Sequence, residues 1–115
     1  MTFSYQIKNE QRIELLILSG ELIDKNQATD LLAEIEVKLQ EGNNKIAIDL
    51  SDLKYMNSSG LNVLIQLLTK TRTAGGDSVI FNVGKKVNDL LVITKLNTLF
   101  KVVDSKTEAI NVLSQ

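Results

Sequence analysis

The residues of this chain best placed to do chemistry are Ser58 and Ser59, in the stretch Asn57-Ser58-Ser59-Gly60. A short apolar strand pattern precedes them and an amphipathic helical pattern follows, so both hydroxyls fall where a helix begins. The first amides of a helix have no intrahelical partner and form the positive end of its dipole, so that end favours an anion. A phosphate ester on a serine there would add a charge of roughly −1.5 to −2 in a setting that tolerates it. The plainer reading of the same residues is capping: a serine at a helix start satisfies the helix's own amide donors, for about 1 kcal/mol. Spacing alone favours that plainer reading.

Little else competes for a chemical role. The 115 residues contain no histidine and no cysteine, which removes the commonest general base, the commonest metal ligand and all thiol chemistry. Ser58 as a nucleophile could draw on backbone amides at the helix start. It would still have only Lys54 as a base, and it lies in no Gly-x-Ser-x-Gly elbow. The expectation is therefore a protein that is not an enzyme, with no cofactor and no metal site. Gly84-Lys85-Lys86 sits between a strand and a helix but lacks the glycine run and Lys-Ser/Thr pair of a phosphate-binding loop, and reads as a turn with solvated lysines. Glu34 and Glu36 do not share a helix face. The aromatics Phe3, Tyr5, Tyr55, Phe81 and Phe100 are scattered, as core residues are, rather than spaced as a stacking platform. Asp24 reads first as a helix cap or a solvated loop residue.

The elements that would position the serines follow from hydrophobic period. Phe3, Tyr5 and Ile7 alternate with polar residues as in a strand with one buried face. Asn9-Glu10-Gln11 reads as a turn, and Ile13 to Leu18 as a second strand ended by Ser19-Gly20, giving an antiparallel hairpin. Ala28, Leu31, Leu32, Ile35 and Leu39 recur at helical spacing from Gln27, with Asp24 or Asn26 as cap and Gly42 closing the end. Lys45 to Leu50 is a third strand, placed parallel by the intervening helix. Ser51 to Met56 reads as a loop. Leu61, Leu64, Ile65 and Leu68 mark the second helix, which stops at Gly75-Gly76. Ser78 to Asn82 is a fourth strand, and Val87, Leu90, Leu91 and Thr94 mark a third helix. Leu99 to Val103 is a short final strand or extended segment, and Ser105 to Glu108 has capping-box spacing ahead of a last helix.

The implied fold class is α/β, a single domain over 1–115 with a mixed sheet of roughly four to five strands and about four helices. Its order along the chain is β-β-α-β-α-β-α-(β)-α. A hydrophobic content of 43% suits a globular domain, and a formal charge of −1 excludes a broad basic footprint, hence nonspecific nucleic-acid or anionic-membrane binding. No stretch approaches the roughly 18 apolar residues of a membrane span, and Met1 to Lys8 alternates instead of forming a signal-peptide core. The expected setting is cytoplasmic, without direct membrane insertion. The hairpin edge leaves oligomeric state open.

Asp49-Leu50-Ser51-Asp52-Leu53-Lys54-Tyr55-Met56-Asn57-Ser58-Ser59-Gly60-Leu61 resembles the signature of the single-domain STAS proteins that act as anti-sigma factor antagonists. Ser19-Gly20-Glu21-Leu22 is similar to their early Gly-Glu-Leu turn, and Gly75-Gly76 to the glycines ending their central helix. The resemblance implies a STAS-like fold across nearly the whole chain. It also implies phosphorylation of the first serine of the pair, Ser58, with Ser59 second, by an anti-sigma factor that is a serine kinase and brings its own ATP. The unmodified antagonist would bind that kinase and release a sigma factor; the phosphorylated form would let go, and a serine phosphatase would reset it. Asp24, Asn57, Ser58, Ser59, Gly60 and Asn62 would then lie in the partner-binding surface.

Two positions depart from the family pattern. Asn57 stands where the family usually carries aspartate. An amide replaces a carboxylate that only hydrogen-bonds the turn, but not one whose charge activates the hydroxyl. Asn62 stands where a small glycine is common. The aspartate-to-asparagine change also motivates a second functional reading: a non-phosphorylated STAS subunit of a lipid-transport ABC system or a stressosome-like complex.

Overall fold

The N-terminal edge strand of this sheet alternates in polarity, while the central strands carry continuous apolar runs, because only the central strands are covered on both faces. The computed structural model describes residues 2–114. Its elements are β1 (Phe3–Glu10), β2 (Ile13–Leu22), a 3-10 turn (Lys25–Ala28), α1 (Thr29–Gln40), β3 (Lys45–Met56), α2 (Ser58–Thr73), β4 (Asp77–Phe81), α3 (Lys85–Ile93), a second 3-10 turn (Leu96–Thr98), β5 (Lys101–Val103) and α4 (Lys106–Leu113). One five-stranded sheet runs in the order β1-β2-β3-β4-β5. β1 pairs antiparallel with β2, and the remaining neighbours are parallel. The α/β class, the mixed sheet and the element order are as the sequence predicts.

The two faces carry separate cores. Leu16, Leu18, Ile46, Ile48 and Ile80 pack with Leu31 and Ile35 of α1, Leu64 and Leu67 of α2 and Leu91 of α3. Ile13, Leu15, Ala47, Val79 and Phe81 point to the opposite face, where Ala109 and Leu113 of α4 cover them. Successive residues of β2 and β3 therefore feed different cores, which is why their sequences read as unbroken apolar runs.

Several boundaries differ from the sequence reading. The hairpin turn is at Gln11 and Arg12, both with positive φ, while Asn9 and Glu10 still pair with Glu14 and Ile13. β2 does not end at Ser19-Gly20 but continues to Leu22. Gly20 sits at φ +90°, and a Cβ there would overlap the Thr2 carbonyl oxygen, so the glycine keeps the strand in place and does not break it. Ser51 to Met56 is likewise strand, not loop. β3 bulges against β2 twice, where Ile17 and Ser19 face Asp49 and Asp52 and where Gly20 and Glu21 face Leu53 and Tyr55. Each bulge shifts the alternation, so only Leu53 and Met56 remain apolar and buried here, and the period-2 signal disappears. These long ends bring Leu22 beside Met56 and carry both strands to the start of α2.

Candidate functional site

The site forms where β2 and β3 end together and α2 begins. Neither serine caps the helix, contrary to the capping reading. The N-cap is Asn57, with extended backbone at φ −111° and ψ −165° and its side chain accepting from the Gly60 N–H at 3.1 Å. The Leu61 N–H reaches the Asn57 carbonyl at 2.9 Å. Ser58 and Ser59 are thus the first helical residues, freed from capping. Ser58 is exposed and Ser59 half-buried. Among the described residues, no side chain hydrogen-bonds either hydroxyl.

Gly60 is buried, because the first turn of α2 lies directly on the end of β2. A Cβ at this position would overlap the Leu22 carbonyl oxygen and press on Met56 Cβ at 2.9 Å. Its role is to let the serine turn dock against the sheet, which is a packing role behind the surface. Asn62 is exposed on the same end of the helix. With Lys25, Ser59, Ile65 and Gln66 it lines a shallow depression of about 380 Å³.

Asp24 is exposed in the loop after β2 and caps the 3-10 turn, accepting from the Asn26 N–H at 2.9 Å. Gln27 closes the reciprocal half of this capping box: its Oε1 accepts from the N–H groups of Ile23 at 2.8 Å and Asp24 at 3.0 Å, and its Nε2 donates to the Glu21 carbonyl at 3.2 Å. The loop is tied to the serine turn by Asn57, whose Nδ2 donates to the Ile23 carbonyl at 3.0 Å. Asp24, Asn57, Ser58, Ser59 and Asn62 are therefore gathered at one end of the molecule, with Gly60 beneath them.

Three contributors at this end, Gln27, Ile23 and Tyr55, are not placed in the site by the sequence reading. Gln27 looks like an ordinary first-turn residue unless the Asp-x-x-Gln spacing from Asp24 is noticed, which is a capping-box pattern. Ile23 is 41% exposed and Tyr55 45% exposed, apolar surface whose exposure depends on how the strand ends bulge. Lys54 lines a depression with Gly84, Lys85 and Lys86 at the start of α3. A larger cleft of about 780 Å³ lies beyond the ends of β4 and β5, lined by Ser51, Asn82, Lys85, Asn88 and Asp104 among others. It includes neither Ser58 nor Ser59. Among the described residues, no group of three or more histidine, cysteine, aspartate or glutamate side chains is placed to hold a metal ion, and no helix is long and apolar enough to cross a membrane.

The STAS domain family matches residues 4–109 of this chain. A Thermotoga neapolitana protein provisionally named an anti-sigma factor antagonist is 32% identical over 72 residues, covering 63% of this chain and 64% of that relative, just under two thirds of its length. The crystal structure of a Thermotoga maritima protein, provisionally named in the same way, superposes with a TM-score of 0.86 at 25% identity, covering 96% of this chain and 95% of that one. The Bacillus cell fate determinant SpoIIAA, solved in its phosphorylated form, gives a TM-score of 0.72 at 18% identity over 94% of this chain and 97% of that one. At that identity the likeness is one of fold.

Proposed function

This chain belongs to the STAS domain family, and from that premise we propose that it is an anti-sigma factor antagonist switched by phosphorylation of Ser58. In this reading it is a binding protein and not an enzyme. The unmodified form docks on an anti-sigma factor that is also a serine kinase, and so frees a sigma factor. The kinase supplies ATP and transfers its phosphoryl group to the Ser58 hydroxyl, and a serine phosphatase removes it.

The observation that carries the proposal is the placement of Ser58. Its hydroxyl is exposed on the first turn of a helix whose cap is supplied by the preceding residue. A kinase can reach that oxygen without unfolding anything, and the new dianion sits at the favourable end of the helix dipole. The scaffold keeps its shape while the surface gains charge. A partner docked over that surface would have to bury the phosphate, at the desolvation cost of an ion. The names of the Thermotoga relatives support the same reading.

Incubation with the host's anti-sigma factor kinase and ATP, followed by site mapping by mass spectrometry, tests it. A single phosphate on Ser58, absent from Ser58→Ala and retained in Ser59→Ala, is the expected result. Undiminished modification of Ser58→Ala would remove Ser58 from the mechanism. Asn57 in place of the family's aspartate favours a second reading, a constitutive subunit of a lipid-transport ABC system or stressosome-like assembly. Native purification in a stable transporter or multi-subunit complex, without serine phosphate, would select it.

A further inference from the structure

We infer that Asn57 is a positioning residue: its side-chain amide locks the loop carrying Ile23 and Asp24 to the serine turn, a contact that aspartate at this position could not make. The amide works in two directions. Oδ1 accepts from the Gly60 N–H at 3.1 Å, while Nδ2 donates to the Ile23 carbonyl at 3.0 Å. The orientation is unambiguous, because Gly60 offers only a donor and Ile23 only an acceptor to the two ends of the amide.

An ionised carboxylate has no hydrogen to give. It would cap the helix as well as the amide does, but would set a negative oxygen against the Ile23 carbonyl. The cap would survive and the side-chain tether would be lost, leaving the backbone bond from the Asn57 N–H to the Leu22 carbonyl at 3.4 Å. The Ile23 peptide groups are held from the other side too, since Gln27 Oε1 accepts the N–H of Ile23 at 2.8 Å and that of Asp24 at 3.0 Å. Two side-chain amides from separate elements thus clamp one short loop segment. This segment presents Ile23, exposed despite being apolar, and exposed Asp24, and Asn57 ties it to the turn that carries exposed Ser58. The clamp stands on hydrogen bonds alone. That it presents these residues and Ser58 to a partner as one surface deepens the antagonist reading above and rests on it.

Amide hydrogen exchange of the full chain, read by NMR in the unmodified state, tests the inference with two variants. In Asn57→Asp the amides of Ile23, Asp24, Asn26 and Gln27 should exchange about three- to tenfold faster, while those of Gly60 and Leu61 stay within about twofold of the wild type. In Asn57→Ala, which loses both bonds, the loop and the helix start should both accelerate. Loop amides unchanged in Asn57→Asp would overturn the inference, as would an acceleration spread evenly over all strands, which marks general destabilisation and not a released tether. Acceleration confined to Gly60 and Leu61 in Asn57→Ala would also overturn it, reducing Asn57 to a cap. No kinase enters this measurement, so failure to phosphorylate Ser58 and failure of the clamp are separate results.

Discussion

At position 60 two effects of a single methyl group oppose each other. Alanine favours a helix over glycine by about 1 kcal/mol, yet its Cβ would overlap the Leu22 carbonyl oxygen and crowd Met56. Backbone cannot step aside cheaply, so the clash wins. Gly60→Ala is expected to destabilise the fold by about 1–3 kcal/mol net, seen as a lower urea midpoint at unchanged slope. An unchanged or raised midpoint would show that the serine turn is not seated on β2 as described. Ser58→Ala should differ little from the wild type in the same titration, because the exposed hydroxyl holds nothing else in place. The serine pair and its neighbours were legible as a helix start, but the identity of the cap was not. Serine and asparagine are both preferred caps, and the choice was settled by the Ile23 carbonyl, a group that only the tertiary fold brings to Asn57.

Among the elements, β1 is joined to α1 by a bond that responds to pH. The Tyr5 hydroxyl donates to Glu34 Oε1 at 3.0 Å. The phenol is held above its ordinary value of about 10, first by burial, then by this hydrogen bond and the negative charges of Glu34 and Asp30. Folding therefore favours the protonated phenol. Its contribution is fully present below the unfolded value and is lost as pH rises through the raised one. The wild type should lose more stability than Tyr5→Phe as pH rises above the ordinary phenol value of about 10; parallel losses in urea melts would contradict the coupling. Elements with an uninterrupted period were readable from sequence, as Phe3, Tyr5 and Ile7 in β1 and Leu61, Leu64 and Leu68 in α2 demonstrate. The upper halves of β2 and β3 were not. Their bulges destroy the alternation between Asp49 and Met56, and Gly20 imitates a strand end while serving a close approach to Thr2.

For the molecule as a whole, three helices on one face and α4 on the other leave the sheet well covered, with one local inconsistency. Glu14 is 1% exposed; its Oε1 accepts from Asn9 at 3.1 Å, but its Oε2 has no partner among the described residues. An unpaired buried acceptor costs about 1–3 kcal/mol. Glu14→Met removes that cost at similar length and leaves exposed Asn9 to water, so a gain of about 1 kcal/mol is expected in thermal or urea unfolding. A loss would indicate that Glu14 has a partner in solution. The turn that bears Ser58 is seated on the core through Gly60, Leu22 and Met56, but Ser58 itself is exposed and belongs to neither core cluster, so on the antagonist reading proposed above modification there alters binding without altering the fold. The most direct measurement compares the chain carrying phosphoserine at position 58 with the unmodified chain, each titrated by calorimetry with the host's anti-sigma factor kinase and each mapped by NMR. The account predicts affinity reduced by about a hundredfold or more, with shift changes confined to the loop at Ile23–Gln27 and the first turn of α2. Equal affinity, or weakened affinity accompanied by shifts throughout both cores, would contradict it.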